Sequence, residues 1–240
     1  MSGLLAGHVA LVTGAGRGIG RAVALALARE GAAVALASRT RAELAAVATA
    51  IREGGGRALA VPTDVTQDAA VDALVEQTVA ELGGLHLLIT AAGTATFGPV
   101  SAAKATDWDA MLAVNLRAVM VCCRAALVPM IRQHRGTIIN VASVAAVRAI
   151  PGAAAYSASK AGVGAWSRVL AEEVRGEGIR VGVLLPGAVA TPLWDAIPNA
   201  PARERMLAPE DVARAVLLMA TLPRGAALEE LTLLPAGGIL

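Results

Sequence analysis

Tyr156 and Lys160 stand four residues apart in Tyr156-Ser-Ala-Ser-Lys160. On a helix, positions i and i+4 share a face, so this spacing sets a phenol beside an ammonium. The chain contains one tyrosine and two lysines, Lys104 and Lys160, so accident is a poor account of the pairing. A phenol titrates near pH 10, and acid/base work at neutral pH asks for a drop of roughly three units, about 4 kcal/mol of preferential stabilisation of the phenolate. A neighbouring ammonium supplies part of it. The pair therefore points to proton transfer.

A second constellation lies near the N-terminus. Ala10-Leu-Val-Thr-Gly-Ala-Gly-Arg-Gly-Ile-Gly-Arg21 places Gly14, Gly18 and Gly20 where an apolar run gives way to a helical pattern. Missing side chains there let backbone approach a pyrophosphate, and the helix N-terminus adds partial positive charge. The segment predicts dinucleotide binding. Cofactor choice is read where the next strand ends, since an acidic residue there would bond the ribose 2′-hydroxyl and repel a 2′-phosphate. Here the residues are Ser38 and Arg39, and Arg17 comes from the glycine loop. Guanidinium forks suit a doubly charged phosphate, so the expected cofactor is NADP(H).

Apolar runs rich in Val, Ile and Leu alternate with longer amphipathic stretches along the chain, the pattern of a parallel sheet covered on both faces. Strands are expected at 8–12, 33–38, 58–61, 85–90, 137–141, 180–185 and 231–234, with helices starting near Ile19, Arg41, Asp68, Asp107, Ala153 and Pro209. The fold class is α/β, a doubly wound Rossmann-type domain with a seven-stranded parallel sheet, and 240 residues suit one domain. Thr40 with Glu43 and Thr106 with Asp109 read as helix caps. The segment 188–208, with Pro192, Pro198 and Pro201, reads as a flexible loop and candidate lid.

The order of these motifs resembles the short-chain dehydrogenase/reductase family, in its compact single-domain branch, over nearly the whole chain. The resemblance rests on Thr13-Gly-Ala-Gly-Arg-Gly-Ile-Gly20, Asn115, Ser143, Tyr156 with Lys160, and Pro186-Gly-Ala-Val-Ala-Thr191, with Ser143 156 − 143 = 13 residues before the tyrosine. It implies that Tyr156 protonates a carbonyl oxygen that Ser143 orients. It also implies that Lys160 binds the nicotinamide ribose and tunes the tyrosine, and that Asn115 holds a proton-relaying water. Implied cofactor contacts are Gly14, Arg17, Gly18, Ile19, Gly20, Ser38, Arg39, Ala92, Gly93, Pro186, Gly187, Tyr156 and Lys160, with Asp64 and Val65 flanking the adenine and Thr191 and the backbone near Val189 anchoring the carboxamide. The expected reaction is hydride transfer between NADP(H) and a ketone, aldehyde or alcohol, in a homotetramer or homodimer built on the Ala-rich helices near 107–132 and 153–174.

Three departures from the family pattern stand out. Thr90-Ala-Ala-Gly93 replaces the usual Asn-Asn-Ala-Gly, losing amides that brace the central strands. His86 replaces the aspartate usual before the fourth strand and reads as a satisfied or surface histidine. Leu231-Thr-Leu-Leu-Pro-Ala-Gly-Gly238 replaces Val-Asp-Gly-Gly.

Substrate identity is less legible. Phe97, Val147, Ile150, Trp194 and Ile197 suggest an apolar pocket, while Arg148 is either an anion contact or plain surface. A 3-oxoacyl-carrier-protein reductase is the specific alternative, although Glu172, Glu173 and Glu177 do not suggest docking of an acidic carrier. A non-catalytic NADP-binding regulator would be expected to lack the tyrosine or lysine, and a sugar-nucleotide epimerase to run longer. Turnover on a carbonyl panel separates the first, tightly retained cofactor the second.

Composition excludes other classes. A net charge of +2 from 21 basic and 19 acidic residues leaves no electrostatic footprint for nucleic acid or membrane. Hydrophobic residues make up 56%, yet charges and glycines interrupt the apolar runs, and 1–8 lacks a signal-peptide pattern, so a cytoplasmic, soluble protein is expected. Adjacent Cys122 and Cys123 suit neither a metal site nor an ordinary disulfide and read as small core residues.

Overall fold

The computed structural model describes residues 3–197 and 200–239. Seven strands form one parallel sheet: β1 (Val9–Thr13), β2 (Ala33–Ser38), β3 (Ala58–Pro62), β4 (Leu87–Thr90), β5 (Gly136–Val141), β6 (Ile179–Pro186) and β7 (Glu230–Leu233). Their spatial order is β3-β2-β1-β4-β5-β6-β7, so the winding reverses between β1 and β4. Thr13 pairs with Ala37 on one side and Thr90 on the other. In such sheets ligands settle beyond the carboxyl ends of the strands at that reversal.

Alternation along the strands explains why the helices lie on both faces. Ala10 and Val12 of β1 point into one core layer with Val34, Leu36, Leu87 and Ile89, covered by α1 (Gly18–Arg29), α2 (Arg41–Glu53) and α7 (Pro209–Ala220). Leu11 points the other way, joining Ala35, Leu88, Ile138 and Val181 under α3 (Asp68–Leu82), α5 (Ala118–Arg132) and α6 (Ala154–Val174). Successive strand residues face opposite sides, and both sides are dry, so the strands read as continuous apolar runs.

The helix expected from Asp107 begins earlier, as α4 (Ala105–Leu112), and passes through a π-turn at Ala113–Arg117 into α5. Against the reading of interrupted apolar runs, 105–132 is long and apolar enough, by length and composition, to cross a membrane. Half of its apolar window is buried in the fold, where α5 packs on α3, β4 and β5 as a core helix does. Cys122 and Cys123 are buried there, as read from the sequence.

Two local expectations fail. Thr40 precedes α2, but its hydroxyl caps no amide, and Thr106 lies inside α4 with Lys104 at the cap position. The carboxylate that does cap is Asp211, which accepts from the Ala208 amide at 2.8 Å. The base of the segment 188–208 is closed by two bonds, Ala190 N–H donating to Leu207 O and Leu207 N–H to Ala188 O, each at 2.9 Å, with single 3₁₀ turns at Pro192–Ala196 and Arg203–Arg205. Pro198 lies outside the described residues.

The bracing thought lost with Thr90 is supplied differently. Thr90 Oγ1 donates to Asn140 Oδ1 at 2.7 Å, and Asn140 Nδ2 donates to Ser167 Oγ at 2.9 Å, joining β4, β5 and α6. Thr13 Oγ1 accepts from the Ala91 and Ala92 amides at 3.1 and 3.2 Å, tying β1 to the chain leaving β4.

Candidate active site

Four polar side chains expected to do chemistry meet beyond the carboxyl ends of β4 and β5. Ser143 follows β5 in extended backbone, its Oγ accepting from the Ala145 amide at 3.1 Å and its side chain near enough to the Tyr156 phenol to favour the phenolate. Tyr156 and Lys160 lie one turn apart on α6, with Nζ 5.9 Å from the phenol ring centroid. Nζ donates to Val141 O at 3.0 Å, so the ammonium is anchored to the end of β5.

Burial sets the proton affinities of this pair. It pushes the Tyr156 phenol above its ordinary value, with the Ser143 hydroxyl acting against it, and brings Lys160 down to about 8. In the protein alone, desolvation therefore outweighs the effect of Ser143 on the phenol.

Asn115 sits fully buried in the π-turn, which turns its amide toward the loop after β4. Oδ1 accepts from the Thr94 amide at 2.9 Å, while Nδ2 donates to Thr94 O at 2.8 Å and to Ser159 Oγ at 3.2 Å. Both amide hydrogens are spent, which leaves a lone pair on Oδ1. A Cβ built on Gly93 would lie 3.5 Å from Oδ1 and 3.8 Å from Lys160 Nζ, so the two groups border one small space.

The residues expected to cradle a nucleotide gather at the ends of β1 and β2. Gly14 has φ +67°, and a Cβ there would fall 2.8 Å from Ala91 O, so only glycine fits between β1 and the chain after β4. Gly18 and Ile19 open α1, with Gly20 buried behind them. Thr191 reaches the loop from the far side, its Cγ2 3.1 Å from where a Gly18 Cβ would stand. Pro186, Gly187 and Val189 lead to it from the end of β6, with Ala92 and Gly93 opposite at the end of β4.

These residues fit a dinucleotide. Ser38 Oγ, at the end of β2, is buried without a hydrogen-bond partner among the described residues. Arg39, next in the chain, and Arg17 of the glycine loop are exposed and form no ion pair among the described residues. Asp64 flanks them, its carboxyl held below the usual range by the Thr66 amide and hydroxyl, against burial and with a smaller pull from Arg39. Val65 is buried next to it.

Aromatic side chains lie beside Tyr156. Phe97 lies 5.7 Å from the Tyr156 ring and 6.0 Å, nearly parallel, from Trp194. Trp194 Nε1 donates to Val189 O at 2.9 Å, so the indole N–H is spent. The Gly98 amide donates to Gly152 O at 2.9 Å, pinning the Phe97 segment near α6. Ile150 and Ile197 are half-buried on flanking segments, and Val147 is exposed. Arg148 is exposed and, among the described residues, donates only to its neighbour's carbonyl, Val147 O, at 3.3 Å.

Sequence reading missed Asn140 and Ser159. Ser159 Oγ donates to Tyr156 O at 2.7 Å while accepting from Asn115, and its place within Tyr156-Ser-Ala-Ser-Lys160 was the available signal. Asn140 gave none. Among the described residues no cluster of three His, Cys, Asp or Glu could hold a metal.

Comparison with known proteins follows the same lines. The short chain dehydrogenase family profile matches residues 8–202. An uncharacterized oxidoreductase of Staphylococcus aureus (strain USA300) is 35% identical over 97% of this chain and 99% of its own. A 3-oxoacyl-[acyl-carrier-protein] reductase of Synechocystis sp. is 36% identical over 98% of each. Among solved structures, a metagenomic short-chain oxidoreductase in complex with NADP superposes with a TM-score of 0.85 at 35% identity, covering 97% of this chain and 99% of that one. With this profile spanning most of its length and such relatives matching end to end, the chain belongs to the short chain dehydrogenase family, oxidoreductases that bind a nicotinamide cofactor.

Proposed function

We propose that the protein is an NADP(H)-dependent reductase of apolar ketones or aldehydes, working equally as a dehydrogenase of the corresponding alcohols. The observation that carries this reading is the Tyr156–Ser143 hydroxyl pair, walled by Phe97 and backed by Lys160. A bound nicotinamide would supply or accept the hydride. In reduction Tyr156 gives its phenolic proton to the substrate oxygen, and Ser143 donates a hydrogen bond that orients the same oxygen. The ammonium of Lys160 stabilises the phenolate left behind, and reprotonation runs through the space that Lys160 Nζ and Asn115 Oδ1 share beside Gly93. Arg39 and Arg17 supply the preference for a 2′-phosphate, with Ser38 Oγ as a third partner.

The aromatic wall sets the substrate. Phe97 and Trp194 present ring surface, and the Trp194 indole donor is already bonded, so a neutral apolar carbonyl compound fits best. The Synechocystis relative favours a second reading, 3-oxoacyl-[acyl-carrier-protein] reduction, in which exposed Arg148 would meet the anionic carrier arm. The same overall reading includes a homo-oligomer.

The test is a panel of aryl and alkyl ketones, aldehydes and β-ketoacyl thioesters with NADPH, run on wild type and Tyr156→Phe. Turnover should fall in the variant by about 10² to 10⁴ with NADPH binding retained. Near-normal turnover would return Tyr156 to a structural role, and thioester preference would favour the second reading.

A further inference from the structure

Glu43 does not do what its sequence position suggests. A capping carboxylate would reach back to the Thr40 amide, but it accepts no hydrogen bond and forms no ion pair among the described residues. The half-buried side chain lies instead across the glycine loop: a Cβ built on Gly16 would fall 2.7 Å from Glu43 Oε2 and 3.0 Å from Ser38 Oγ. Carboxylate and partnerless serine hydroxyl thus flank one point of the loop, where Gly16 leaves room for both.

We propose that Glu43 is a specificity-determining residue, the acceptor for the adenosine ribose 2′-hydroxyl of NAD(H), so that the enzyme uses both dinucleotides and its preference for NADP(H) is held down. This rests on the reading above that the ribose 2′-substituent lies at Ser38 and Arg39. A carboxylate at the end of the second strand commonly plays this part, and that position is Ser38 here. The first turn of α2 delivers the carboxylate instead, from the other side of Ser38. Two chemistries then compete at one place. Toward a 2′-hydroxyl, Glu43 offers two acceptor oxygens to a donor, a charge-assisted bond. Toward a 2′-phosphate carrying roughly −1.5 to −2 charges, the same group repels what Arg17 and Arg39 attract.

The experiment measures dissociation constants for NADH and NADPH, by nicotinamide fluorescence, on wild type, Glu43→Gln, Glu43→Ala and Arg39→Ala, with folding checked by circular dichroism. Both Glu43 variants should weaken NADH by about tenfold and leave NADPH equal or tighter, raising the NADPH to NADH preference accordingly. An unchanged preference in both, or NADPH weakened as much as NADH, overturns the assignment. The Arg39 arm keeps the two readings apart. Loss confined to NADPH upholds the 2′-phosphate site whatever Glu43 does, and equal loss with both cofactors removes that site and the present proposal's foundation with it.

Discussion

At the scale of single residues, burial and the Ser143 hydroxyl pull Tyr156 in opposite directions. Desolvation raises the phenol, that hydroxyl opposes it, and Lys160, itself lowered to about 8, sits 5.9 Å from the ring centroid. A positively charged nicotinamide next to the phenol would reverse the balance. Because Tyr156 is the only tyrosine, tyrosinate absorbance reports on it alone. Titrated in the NADP⁺ complex, its apparent pKa should lie well below the value in the free protein, and Lys160→Ala should raise it again. No difference between free and complexed protein would remove the proposed tuning. This part of the site was legible because its rule is local: helical periodicity alone puts Lys160 above Tyr156. Glu43 misled for a related reason, since the Thr40–Glu43 pattern is also local, whereas the contact with Gly16 that decides its position is tertiary.

At the scale of elements, the central strands are held at both ends by polar side chains that propensity does not reveal. At the amino end, the Val9 amide donates to His86 Nδ1 at 3.0 Å. His8 stacks edge-on against His86 with ring centroids 5.4 Å apart, and Arg135 contacts the His8 ring. Burial lowers both histidines, helped at His8 by Arg135 and at His86 by His8 and Arg135. A neutral ring is what lets Nδ1 accept, so the native state binds fewer protons than the unfolded chain once pH drops below the ordinary value near 6.5. The stability these rings contribute is present above that value and lost as pH falls through their lower native values. Melting temperatures between about pH 8 and pH 5 should therefore drop on acidification, and His86→Asn, whose oxygen accepts without titrating, should flatten that drop. An identical profile in the variant would rule out the histidine. The strands themselves were readable to within two residues because both faces are apolar. Asn140 was not, because its partners Thr90 and Ser167 stand 50 and 27 residues away and no sequence period links them.

At the scale of the whole molecule, the helices leave apolar side chains facing outward. Val128 and Ile131 on α5 are 53% and 39% exposed, and Val169 on α6 is 59% exposed. These faces on α5 and α6 are offered for the proposed oligomer, whereas Gly162 on α6 packs within the chain, where a Cβ would meet Leu116 at 2.9 Å. Sedimentation at micromolar concentration should give a dimer or tetramer, and Val169→Glu should shift it toward smaller species, while a wild-type monomer would sink the idea. The strand order carries a consequence of another kind, for how the protein is made. β1 is central and fully buried, yet its neighbour β4 is synthesised only after β2 and β3 have taken the opposite side. Until residue 90 has left the ribosome, β1 keeps a bare, apolar edge of unpaired backbone groups, the kind that templates pairing with other chains. The first third of this protein is thus its most adhesive form, and a nascent chain stalled there is a candidate for chaperone capture.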